Sequence, residues 1–252
     1  MKERTTGIQV LKGELKKWYL RALDLIYPRR CPFCDDLLSF GDTGICDNCK
    51  RKIGYVGQNY CMKCGKQLKD DSREYCRDCE RTAHIFDRGR SLYVYDDIMK
   101  ESIARFKYGG RQEYAEYYAE DILCSLKGFI DSCRPDALIP VPISDNKYIK
   151  RGYNQAELIA RSLSAKTGLP VNDKIIVRSV DTLPMKELTR NERMKNLKGA
   201  FKIASVDVKC RNVLIIDDIY TTGSTIDAMS AVLKTAGVKK VCFVTLSSGT
   251  TL

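Results

Sequence analysis

Residues 213–225, VLIIDDIYTTGST, set two adjacent aspartates at the end of an apolar run and follow them with small hydroxylated residues around one glycine. A carboxylate there can accept hydrogen bonds from the vicinal hydroxyls of a sugar, or hold a hard divalent cation directly or through water. The loop Thr221-Thr222-Gly223-Ser224-Thr225 leads into a helical pattern, so its N–H groups and hydroxyls converge where the helix dipole favours an anion. One ligand carrying both a ribose and a 5′-phosphate satisfies Asp217, Asp218 and the loop together.

Eight of the twelve cysteines form four C-x-x-C pairs, Cys31/Cys34, Cys46/Cys49, Cys61/Cys64 and Cys76/Cys79, which recur every 15 residues. Each pair turns two sulfurs to the same side of a tight knuckle, so two knuckles complete the tetrahedron preferred by Zn²⁺ and four make two closed sites. A disulfide framework requires export, and four evenly spaced pairs exceed what a redox pair uses. Four thiolates leave no open position for water activation, so both zinc sites are structural. Consecutive pairing of the knuckles is the simplest geometry; the spacing also permits a cross-brace. Between Cys31 and Cys79 large apolar residues are few, and metal binding supplies the folding energy that a core would otherwise provide. Cys124, Cys133, Cys210 and Cys242 are read as small buried hydrophobes.

The elements that position these residues follow from periodicity. Ahead of the cysteines, residues 1–30 read as an amphipathic helix with a basic polar face, suited to a phosphate backbone or a membrane surface. The zinc module spans residues 31–79, and residues 80–89 read as a linker in which His84, the one histidine, is a surface residue. Residues 90–252 alternate strands (90–95, 137–141, 175–178, 213–216, 241–246) with helices (98–107, 114–125, 154–166, 224–235), which implies an α/β fold with a doubly wound, mostly parallel sheet. Ligands of such sheets sit at the carboxyl ends of strands, where Asp217 and Asp218 fall. An apolar run ending in Asp-Asp also suggests the acidic motif of a P-loop NTPase, but the chain contains no G-x-x-x-x-G-K-[ST].

The stretch resembles the 5-phosphoribosyl-1-pyrophosphate (PRPP) motif of type I phosphoribosyltransferases. With LIPVPISDNKYIKRGYNQAELIA, LTRNERMKNLKGAF and the cysteine knuckles, the chain resembles the ComF/ComFC family over nearly its whole length. That resemblance implies a type I phosphoribosyltransferase fold behind a double zinc ribbon. By motif, Asp217 and Asp218 contact the ribose and Thr221, Thr222, Gly223, Ser224 and Thr225 hold the 5′-phosphate. Lys147, Lys150, Arg151 and Gly152 occupy the pyrophosphate loop, Arg193 and Asn196 the flexible loop, and Lys107 in FKYGGR is a further basic contact. Lys147 stands where the family usually carries arginine, giving a point charge in place of a bidentate fork. The resemblance further implies Mg²⁺ bound with PRPP, a role in natural competence, contact with single-stranded DNA and a helicase-like partner.

Composition agrees. The formal charge of +11 falls to +7 once eight thiolates and two Zn²⁺ are counted, and still favours a polyanionic partner. No apolar run approaches the length of a membrane helix and no signal-peptide pattern opens the chain, so the cytoplasm, with the inner face of the membrane as a docking surface, is the expected location. Two functions follow: a transferase passing phosphoribose from PRPP to an acceptor, or a non-catalytic PRPP-sensing or DNA-binding module.

Overall fold

The computed structural model describes residues 28–39, 44–178, 199–204 and 210–250. Most of the N-terminal helix expected over 1–30, and the loop residues Arg193 and Asn196, lie outside the described residues. The chain divides into two compact units, one ending at Lys52 and the other beginning at Ile53. This division falls inside the 31–79 cysteine module, not after it.

In the first unit the chain turns back at Cys31–Cys34, with an antiparallel bridge between Arg30 and Leu37. The Asp35 N–H donates to the Cys31 carbonyl at 2.9 Å, and the turn holds Asp35 at φ 65°. A single helical turn, α1 (Asp47–Lys50), follows with Cys46 as its N-cap. Phe33 and Cys31 are buried.

The second unit opens with a similar knuckle, bridged between Tyr60 and Gln67, and the short helix α2 (Arg77–Arg81). Residues 82–87 then run to β1 (Arg88–Val94), helices α3 (Asp97–Tyr108) and α4 (Tyr114–Cys133), β2 (Ala137–Pro140), α5 (Asp145–Arg151) and α6 (Gln155–Thr167). After β3 (Ile176–Arg178) and β4 (Phe201–Ile203) come β5 (Asn212–Tyr220), α7 (Ser224–Thr235) and β6 (Lys240–Ser248). Four strands form one parallel sheet in the order β1-β6-β5-β2. β3 and β4 form a separate antiparallel pair.

Burial is unbroken along Val213–Ile216 and Val241–Ser248, because helices cover both faces of the sheet. Val213, Ile215, Val241 and Phe243 share a core cluster with Ile226, Met229 and Leu233 of α7. α4 packs on β1, β5, β6 and α6. The helices have defined ends: Asp96 caps α3 by accepting from the Met99 N–H at 2.9 Å, and Asn154 caps α6 by accepting from Ala156 at 3.1 Å. Gly168, in the left-handed region, closes α6.

Several elements differ from the sequence expectation. α4 continues past Ser125 to Cys133 because Leu126, Ile130 and Cys133 bury against the core and carry the helix through Gly128. β5 runs through the aspartates to Tyr220, paired with β6 at Asp217↔Thr245, Ile219↔Ser247 and Tyr220↔Ser248. α5 buries no residue, so no apolar period announces it.

The stretch read as a linker is a packed strap. His84 is a buried residue, not a surface one, and Phe86 is fully buried, which contributes about 2 kcal/mol. Asp87 locks the strap to β6: its N–H donates to the Val241 carbonyl and its carboxylate accepts from the Val241 N–H, both at 2.8 Å. Cys124 is exposed rather than buried and Cys210 is partly so, while Cys133 and Cys242 are buried as expected.

Candidate functional site

A cavity of about 260 Å³ opens at the carboxyl ends of β2 and β5. Asp217, Asp218, Thr221, Thr222, Ser224 and Thr225 line one side; Lys107, Lys147 and Arg151 approach from α3 and α5. Gly152 and Gly223 are not among the lining residues; they terminate α5 and open α7, with φ of 79° and 80°. Arg193 lies outside the described residues.

The loop sits at the N-terminus of a twelve-residue helix, with the Thr222 and Ser224 hydroxyls 2.9 Å apart. That arrangement presents N–H and O–H groups to an anion. Gly223 could carry no side chain: a Cβ would lie 2.7 Å from the Tyr220 Oη and 2.9 Å from the His84 Cε1.

The carboxylates are held differently. Asp218 pairs with Lys107, Nζ to Oδ2 2.5 Å, so Lys107, whose role the sequence left loosest, reaches the acidic pair directly. Asp217 accepts the Asp218 N–H at 2.9 Å. Burial, and next the Asp218 charge, push the Asp217 carboxyl from its ordinary 3.8 up to about 7, against the lowering influence of that N–H, Lys107 and Arg178. Four cations, Lys107, Lys147, Arg151 and Arg178, face two carboxylates across the cavity, leaving a surplus of positive charge for an anionic ligand.

Arg178, at the end of β3, escapes sequence reading because its strand carries no motif; its guanidinium lies 5.5 Å from the Phe201 ring centroid. Asn154 and Gln155 also line the cavity. Gln155 accepts from Arg151 at 2.8 Å and Asn154 donates to the Val141 carbonyl at 2.9 Å, so the RGYNQ segment orients its own arginine. Arg151 also donates to the Tyr108 hydroxyl at 3.1 Å. Lys150, a sequence candidate, is not among the lining residues and stands over the Tyr108 ring, 5.9 Å from its centroid.

The eight paired cysteines gather into two clusters, Cys31/Cys34/Cys46/Cys49 and Cys61/Cys64/Cys76/Cys79, each with all sulfurs within 4.8 Å of one another. Pairing is consecutive; no cross-brace forms. The Sγ separations Cys34–Cys46 and Cys64–Cys76 are both 3.7 Å, matching the edge of about 3.8 Å of a tetrahedron with Zn–S bonds of about 2.3 Å. The donor set fits structural zinc in both places.

A double zinc ribbon domain model matches residues 22–80, and a phosphoribosyl transferase domain model matches residues 150–250. Competence protein F of Haemophilus influenzae is 29% identical over 84% of this chain and 93% of the relative. Competence protein ComFC of Bacillus subtilis is 28% identical over 73% and 75%, respectively. The DNA utilization protein YhgH of Escherichia coli K12 is 26% identical over 86% and 96%. The chain is similar to the ComF and ComFC competence proteins over most of its length and carries matches to both domain models. Two four-cysteine clusters that fit structural zinc and a four-stranded parallel sheet accompany these matches. No described helix is long and apolar enough to cross a membrane.

Proposed function

We propose that the cavity binds PRPP with Mg²⁺ and that the protein acts in the uptake of transforming DNA. The observation that carries the ligand reading is the meeting of Asp217-Asp218, the helix-entering loop Thr221–Thr225 and the cations of α3 and α5 around one cavity. A ribose sets its vicinal hydroxyls against the two carboxylates, where a hydroxyl competes with Lys107 for Asp218. The 5′-phosphate lies on the loop, and the pyrophosphate faces Lys147 and Arg151. Mg²⁺, a hard cation suited to oxygen ligands, supplies charge neutralisation of the pyrophosphate when bound. In a transfer reaction the bond from the anomeric carbon to pyrophosphate breaks through an oxocarbenium-like state. Lys147 and Arg151 then stabilise the charge developing on the leaving oxygens.

The names of the relatives, competence proteins F and ComFC, support the role in DNA uptake. Single-stranded DNA as a partner draws on a specific surface. Tyr108 and Tyr148, chain neighbours of the lining residues Lys107 and Lys147, are more than half exposed, and Lys150 and Arg151 stand over the Tyr108 ring at 5.9 and 5.0 Å. Exposed aromatics among cations suit base stacking and backbone contact.

Calorimetry with PRPP, with and without Mg²⁺, tests the ligand reading. Wild type is expected to bind, and the double variant Asp217→Ala, Asp218→Ala to lose about 100-fold in affinity; a wild type that binds no PRPP sinks the reading. Oligonucleotide affinity is expected to fall as salt rises and to weaken in Tyr108→Ala; a salt-independent affinity rules out phosphate contacts.

A further inference from the structure

The single histidine takes no direct part in the site described above, yet it is buried and paired. Its side chain is fully shielded from solvent, and Nδ1 lies 2.6 Å from the Asp227 Oδ2. A carboxylate oxygen accepts, so Nδ1 carries the hydrogen of this bond. The other oxygen of Asp227 accepts from the Ile85 N–H at 2.8 Å. Asp227 belongs to the first turn of α7, and its own N–H donates to the Gly223 carbonyl at 2.8 Å. The imidazole also lies directly under Gly223, where an added Cβ would stand 2.9 Å from Cε1 and 3.2 Å from Nδ1. His84 therefore supports the Thr221–Thr225 loop twice, through Asp227 and by contact with the backbone at Gly223.

The support is itself anchored. His84 stacks on Phe86 at 4.6 Å, and Phe86 meets Tyr220, the residue before the loop, edge-on at 6.2 Å. Two lysines of the second knuckle hold this aromatic group. Lys63 donates to the Phe86 carbonyl at 2.5 Å; Lys66 lies over the Tyr220 ring at 5.5 Å while pairing with Asp78 at 3.1 Å. Cys61, Cys64 and Cys76 share a buried cluster with Phe86, Tyr220, Ile226 and Met229. An unbroken set of contacts thus runs from the second four-cysteine cluster to the loop.

We propose that His84 is a positioning residue that holds the Thr221–Thr225 loop in its anion-binding geometry against the second cysteine cluster. Its effect on affinity rests on the PRPP reading; its effect on the loop does not. The test is hydrogen exchange at the Asp227 amide in the full chain at two zinc per chain, with ribose 5-phosphate titrated in parallel. His84→Ala is expected to speed that exchange about tenfold while the amides of β5 and β6 stay unchanged. His84→Asn, which places an N–H near the position of Nδ1–H, is expected to return it to within about threefold of wild type. Ribose 5-phosphate affinity is expected to fall about tenfold in His84→Ala and to recover in His84→Asn. Unchanged exchange in His84→Ala overturns the proposal, and so does a loss that His84→Asn fails to restore. Should wild type bind no phosphate ester, the PRPP reading fails while the exchange result still decides the role of His84.

Discussion

The two cysteine clusters are nearly one motif written twice, thirty positions apart, and the comparison separates what zinc needs from what the sheet needs. Cys31, Cys34, Cys46 and Cys49 correspond to Cys61, Cys64, Cys76 and Cys79. Cys31 N–H to Asp36 carbonyl at 2.9 Å is matched by Cys61 to Lys66 at 2.8 Å, and the bridge 30↔37 by 60↔67. Both knuckles require a left-handed residue, at φ 65° and 73°, and fill it differently: Asp35 in the first, Gly65 in the second. The second has no room for a side chain, since a Cβ there would lie 2.4 Å from the Arg90 Cα and 2.5 Å from the Gly89 carbonyl. Phe33, buried in the first knuckle, becomes Lys63, whose Nζ reaches the strap. The metal dictates the shared backbone turn; packing on β1 dictates the glycine.

Cysteine replacement offers the strongest test of this difference. A structural zinc carries on the order of 10 kcal/mol of folding energy, so Cys64→Ser is expected to abolish the cooperative unfolding of the sheet unit. Cys34→Ser is expected to lose one zinc yet leave the sheet transition within about 3 °C of wild type by calorimetry. Equal drops in the two variants would show that the clusters are energetically interchangeable.

Swapping the left-handed residues comes next. Gly65→Asp must displace backbone and is expected to cost about 3 kcal/mol or more, whereas Asp35→Gly removes a side chain from a turn either residue can make and is expected to cost less than about 1 kcal/mol. Urea midpoints measure both, and similar costs would erase the distinction.

A pH titration gives the smallest effect and assigns it to the sheet unit alone. The Asp217 carboxyl releases its proton near 3.8 when unfolded and near 7 in the fold. Between those values the folded state binds more protons, so this group lowers stability as pH rises through that window. Asp217→Asn is expected to gain about 3 kcal/mol on wild type between about pH 4.5 and about pH 7.5 in urea unfolding. A difference that stays flat with pH would place Asp217 in water-like surroundings.

Much of the site could be read from residue types because its chemistry is local. The loop Thr221–Thr225, its following helix and the paired aspartates are contiguous, so one stretch carries both the carboxylates and the helix-entering loop that line the cavity. Ser224–Thr235 forms the helix with the ends that its periodicity implied. Arg178 was not legible: β3 could be read as a strand, but no motif within it ties its last residue to the cavity. His84 was misread for the same reason. Residues 80–89 look like a linker by composition, and nothing nearby in sequence names Asp227, 143 positions away, as its partner.

The sequence by itself determined the two four-cysteine clusters that fit zinc, the alternation of strands and helices, and the acidic pair with its helix-entering loop. Spacing of two between cysteines and periods of two or 3.6 in apolar residues are short-range rules, enforced by backbone geometry whatever the rest of the chain does. The tertiary structure alone decided that the second cluster belongs with the sheet, that Lys107 meets Asp218 and that His84 lies beneath Gly223. Those pairings depend on which surfaces exclude water together, and that is settled only when distant segments pack into one core.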